Sequence, residues 1–152
     1  MAITQAIANA FKKQLLEGDQ NFSSSGGDKF KLALYTSSAT LNSATTAYAT
    51  NPGGGANTEV ANTGTYTAGG DPLAGQNTSI ASGVAIVDFA DLSFTGVTLT
   101  ARGALIYNTS SAVTNAAVAV LNFGADKTAT SGTFTIQFPA FTTAAAILRI
   151  SG

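Results

Sequence analysis

Carboxylates are the side chains through which this chain could most readily do chemistry. Asp28, Asp88, Asp91 and Asp126 are the candidate acids, and two carboxylates flanking a glycosidic bond suffice for acid–base hydrolysis. No spacing in the sequence makes any pair of them converge. Asp88 and Asp91 stand close together in IVDFADLSF (86–94), near a strand junction, where the ordinary role is an Asx-type bond to nearby backbone N–H groups. A calcium site built from those oxygens and backbone carbonyls is the alternative, but no Asp-x-Asp-x-Asp-Gly loop supports it. Nucleophilic catalysis by Ser or Thr normally takes its base from His, and the chain has none. A Ser–Lys pair would draw on Lys12, Lys13, Lys29, Lys31 or Lys127, which sit in no motif. The run Pro52-Gly53-Gly54-Gly55 shares only its glycines with a phosphate-binding loop. It lacks the following Lys-Ser/Thr and a preceding buried strand, so it reads as a flexible loop. These readings assign no catalytic residue, no cofactor and no metal ligand.

Arg102 is the more informative charge. In LTARGALIY (99–107) it lies inside an apolar strand pattern. It therefore faces solvent, or meets an acid across the sheet or on a neighbouring subunit. Gly103 beside it points to a bulge or a close backbone approach.

The elements that must position these residues follow from hydrophobic period. Ile3, Ile7, Phe11 and Leu15 recur every four residues, with Ala6, Ala10 and Leu16 widening the stripe. The spacing predicts an amphipathic helix over 3–17 within an N-terminal segment 1–18, capped by Thr4 and stopped by Gly18. Its stripe must bury against an open side of the remaining body, or against a neighbouring subunit or shell. From Phe30 the period changes to two. FKLALYT places Phe30, Leu32 and Leu34 on one face, with Lys31, Ala33 and Tyr35 on the other. Residues 36–83 form a loop-rich excursion, poor in bulky apolar groups, with short strands near 47–50 and 63–68. Strand-like runs then fill 84–90, 92–100, 101–109, 117–124, 132–139 and 144–150, and Pro139 stops its ladder or marks an edge. Short, turn-punctuated strands of this kind predict a mainly β fold. The expectation is an antiparallel, jelly-roll-like β-sandwich over 19–152 behind the N-terminal α-helix.

Composition narrows function further. Charged residues make up 10% of the 152 residues, against roughly 25% in soluble domains. The surface is therefore largely Thr, Ser, Gly, Asn and Ala. It repels copies of itself weakly and suits permanent contact with them or with a larger lattice. Mean hydropathy is +0.22, but much of it is Ala. The nine Phe and four Tyr thus carry the core, each burying about 150–250 Å². A net charge of −1 argues against nucleic acid, since neutralising phosphates takes clustered Lys and Arg. No stretch approaches the ~20 apolar residues of a membrane helix. The opening residues do not read as a signal peptide, and without Cys no disulfide framework exists.

Several segments together carry a resemblance: FKLALYTSSATLN (30–42), ARGALIYNTSS (101–111) and AVAVLNFGADKTATSGTFTIQFP (117–139). They resemble a family of tailed-bacteriophage virion proteins, whose members often begin with a segment like AIANAFKKQLLEGDQNF. The resemblance covers most of the chain except residues around 50–80. It implies a structural part of the particle, a capsid cement or decoration protein. Such a protein would be homotrimeric, bind the major capsid protein and sit on the outer capsid surface. Ile3, Ile7, Phe11, Leu15 and Arg102 are the candidate contact residues. A tail, neck or fibre component is the structural alternative. A carbohydrate-binding module or adhesin using exposed Tyr35, Tyr48, Tyr66 and Tyr107 is the alternative from another class, weakened by the absence of Trp.

Overall fold

The N-terminal apolar stripe divides between two kinds of structure. In this computed structural model, which describes residues 2–152, the first residues are extended. Ile3 makes a parallel bridge to Leu41, and β1 (Ala6–Ile7) pairs antiparallel with Val120 and Ala119. Helix α1 runs only over Asn9–Glu17. The expected helix over 3–17 is thus corrected at its start, and the reason lies in hydrogen bonding. The N–H groups of Thr4 and Ala8 donate to the carbonyls of Leu41 and Val118, so a sheet edge claims backbone that a helix would have needed. Thr4 caps nothing; Ala8 holds the N-cap position without a side-chain bond. The other end follows expectation. Gly18 adopts φ 80°, and its N–H closes on the carbonyls of Gln14 and Leu15.

The chain is mainly β, an antiparallel sandwich with one short N-terminal helix. After α1 come β2 (Phe30–Tyr35), β3 (Asp71–Pro72), β4 (Asn77–Ala81), β5 (Val84–Asp88), β6 (Leu92–Asn108), β7 (Ala116–Ile136) and β8 (Leu148–Ile150). The main sheet has the order β1-β7-β6-β2-β3, and the smaller sheet β4-β5-β8. Runs expected as separate strands fuse: 92–100 and 101–109 are both β6, and 117–124 and 132–139 lie largely in β7. Bulges let these long strands stay paired. While β6 runs from Ala101 to Gly103, β7 runs from Lys127 back to Asn122. Gly103 fits both parts of its reading, for a Cβ there would collide with the Leu121 carbonyl oxygen and stand 2.9 Å from Ile3 Cγ2. β4 and β5 are joined by Ser82 (φ 49°) and Gly83 (φ 76°), the two positive angles of a type I′ hairpin turn. β7 ends at Ile136, ahead of Pro139, and the expected strand over 144–150 is confined to β8.

Around β2 both faces of the main sheet are covered, which is why that strand is buried almost throughout, whereas the distal halves of β6 and β7 expose one face. Phe30 stacks on Phe22 at 4.4 Å and meets Phe89 at 5.7 Å, while Phe11 of α1 meets Phe22 edge-on at 5.8 Å. Buried aromatic pairs of this kind contribute about 0.5–1.5 kcal/mol each beyond their area. The opposite face, with Tyr35 and Tyr107, lies under the 36–70 excursion. That segment is a cover. It is held by hydroxyls and backbone: Thr65 and Thr95 exchange two hydrogen bonds, and Thr63 Oγ1 accepts from the Thr98 N–H.

Candidate functional site

The most enclosed polar constellation centres on Glu59, an acid outside the four sequence candidates. Its segment lies beside the end of β2, with a bridge between Tyr35 and Glu59. The side chain is buried, and neither ion pair among the described residues includes it. Its charge is met by neutral donors. Tyr48 Oη donates at 2.7 Å, Tyr66 Oη at 3.1 Å, and the Gly69 N–H completes the set. Tyr107 Oη donates to the Gly69 carbonyl at 2.6 Å and stacks on Tyr48 at 4.7 Å. Tyr35 Oη donates to the Ala49 carbonyl at 2.7 Å. Burial, followed by the Glu59 charge, pushes Tyr107 up to about 12. Burial first, and Glu59 beside it, also holds Tyr35, Tyr48 and Tyr66 well above the ordinary tyrosine range. The four tyrosines thus point inward and fasten the excursion to the sheet. This corrects the reading of them as an exposed sugar-stacking set. Nothing in contiguous sequence spacing marks Glu59, since its carboxylate partners Tyr48, Tyr66 and Gly69 lie on separate stretches of the excursion and the segment itself is set beside β2 by a bridge to Tyr35.

The four acids singled out in the sequence do not converge on one another, and two of them, Asp28 and Asp91, hold structure in place. Asp28 accepts from the Asn21 N–H at 2.9 Å and from Asn108 Nδ2 at 2.7 Å. Asn108, itself buried, also donates to Gln20 Oε1, tying the end of β6 to the segment after α1. Asp91 accepts from the Phe138 N–H at 2.8 Å, a tie between distant segments in place of the expected local turn bond. Asp88 leaves one buried carboxylate oxygen without a partner, so it makes no turn bond through that atom either. Asp126 faces Arg102 across the β6–β7 bulge at 3.4 Å, with both side chains substantially exposed. Arg102 therefore meets an acid across the sheet within its own chain. Such an exposed pair contributes little to stability. Among the described residues no three His, Cys, Asp or Glu gather as a metal site would require. Pro52–Gly55 is a loop, with the Thr40 N–H donating to the Pro52 carbonyl.

The expected contact stripe is split by the structure. Ile3 and Phe11 are buried within their own chain, Phe11 at the base of the groove beside α1. Ile7 and Leu15 are half-buried and line a groove of about 640 Å³ between α1 and the smaller sheet. Leu16, read as part of the buried stripe, is 91% exposed. Across the groove Ile80, Ala85 and Ile150 form one cross-strand row, with Ile80 73% and Ile150 59% exposed. Helix phase alone could not show this rim, because two of its members lie far along the sequence. No helix among the described residues is long and apolar enough to cross a membrane.

Taken together, these features describe a β-sandwich whose buried polar groups fasten loops and in which Leu16, Ile80 and Ile150, three of the four exposed large apolar side chains among the described residues, lie beside one groove. The chain matches no protein-family model, no curated protein and no solved structure.

Proposed function

We propose that the protein is a non-enzymatic structural component of a tailed-bacteriophage virion. Within that class the favoured role is a capsid cement or decoration protein, homotrimeric and bound to the major capsid protein on the outer surface. The observation that carries this reading is the sequence resemblance together with its location. Its three segments contain β2, the second half of β6 and β7, which are neighbours in the main sheet. The resemblance thus concerns one packed unit. Composition supports the same reading, because a surface with so few charges tolerates close, permanent neighbours. The polar clusters also support it, as Glu59, Asp28 and Asp91 hold loops and strand ends together.

The test is rebinding. Purified protein is added to otherwise complete particles that lack it, and the particles are sedimented. Saturable co-sedimentation, with a rise in the temperature at which the shell opens, is the expected result. Particles that leave the protein in the supernatant at every concentration would contradict the shell assignment.

A further inference from the structure

The main and smaller sheets treat their edges differently. The main sheet ends in β1 and β3, each only two residues long, and β3 carries Pro72. Short edges and proline are common guards against unwanted strand pairing. On the smaller sheet, the β8 side is partly covered, for Arg149 Nη1 reaches back to the carbonyls of Thr143 and Ala144. The β4 edge has no such guard. All five of its residues are exposed, and no charged residue occurs from Pro72 through Val87.

The two-residue turn makes Ala81↔Val84 the hydrogen-bonded closing pair of the hairpin. By the alternation of an antiparallel ladder, the backbone groups of Thr78 and Ile80 then point outward. The Thr78 N–H is provisionally met by Asn77 Oδ1 at 2.9 Å, a contact that an incoming strand can replace.

We propose that β4 is a strand-pairing edge and that its partner is β4 of a second copy of this chain. The sequence Asn77-Thr78-Ser79-Ile80-Ala81 is self-complementary about Ser79. In an antiparallel two-fold pair, Thr78 opposes Ile80 of the other copy, and Ser79 meets its own equivalent. The outward residues of each copy thereby meet outward residues, which joins the two smaller sheets into one through reciprocal backbone bonds. Thr78 and Ile80 share the face that carries Ala85 and Ile150, so the exposed apolar row continues from one chain into the next. The edge strand itself carries no charge to repel the approach. A two-fold contact cannot close a trimer, so this is a separate contact, and it does not rest on the virion reading.

The chain has no cysteine, which makes a crosslinking test clean. Ser79→Cys places two thiols at a non-hydrogen-bonded cross-strand pair about 4.5 Å apart in Cα, within disulfide range. Mild oxidation of the purified protein should give a covalent dimer at least about tenfold faster than Thr95→Cys, an exposed control on β6. Ile80→Lys should halve the number of chains in the particle seen by light scattering while the protein keeps its native circular dichroism and a cooperative unfolding transition, since the side chain is exposed in the single chain. Equal crosslinking rates at the two cysteines would overturn the proposal. So would an Ile80→Lys protein that folds normally and keeps the parent's mass.

Discussion

Glu59 shows how one acid can matter to the fold while staying silent in the sequence. Its carboxylate accepts from two tyrosine hydroxyls and one backbone N–H. Glu59→Gln would replace one acceptor oxygen with a donor and leave a buried hydroxyl or N–H unmatched. A loss of about 1–3 kcal/mol is expected, read by urea denaturation. The tyrosines give a pH test. Their folded-state pKa values lie above the ordinary value near ~10, because burial and the Glu59 charge disfavour the phenolate. Their contribution is therefore whole below pH ~10 and is lost as pH rises through the folded values, about 12 for Tyr107. Tyrosinate absorbance should stay low above pH ~10 and then rise together with loss of circular dichroism. Phenolates appearing near pH ~10 in a protein that remains folded would refute the buried cluster.

At the scale of elements, the close approach at Gly103 and the open bulge at Gly124 make opposite demands. Gly103→Ala would drive a methyl into the Leu121 carbonyl and Ile3, costing about 3 kcal/mol. A Cβ at Gly124 meets nothing, but its φ of 78° is strained for an L side chain, so Gly124→Ala should cost about 1 kcal/mol. Chemical denaturation of the two variants checks the order. The strand content was legible because alternation in FKLALYT and GTFTIQFP survives in β2 and β7. The close approach at Gly103 was legible from a glycine beside an arginine in an apolar run. The start of α1 was not. Ile3 and Ile7 keep helical spacing, yet Leu41 and Val118 supply carbonyls that hold the segment extended, and no local pattern reports them. The merging of strand pairs into β6 and β7 was hidden for a related reason, since bulges disguise continuity as breaks. The sites divide likewise: Arg102 has an acid across the sheet, whereas Glu59 and the Ile80–Ile150 row depend on long-range placement.

At the scale of the whole molecule, a sparsely charged surface and an unguarded strand edge on a β-sandwich both suit the proposed role in assembly. Copies with few charges can lie side by side without mutual repulsion. Under the proposed shell role, pairing through β4 would add a direct link between chains bound to the same shell. Particle stability should then depend on the protein as an added layer, and the Ile80→Lys protein should still bind shells while losing contact between neighbouring copies. The most direct measurement is the copy number of this chain relative to the major capsid protein in purified particles, by quantitative mass spectrometry. Hundreds of copies per particle are the expected result. A dozen or fewer would contradict the shell assignment in favour of a tail, neck or fibre part, and absence from the particle would contradict a virion role.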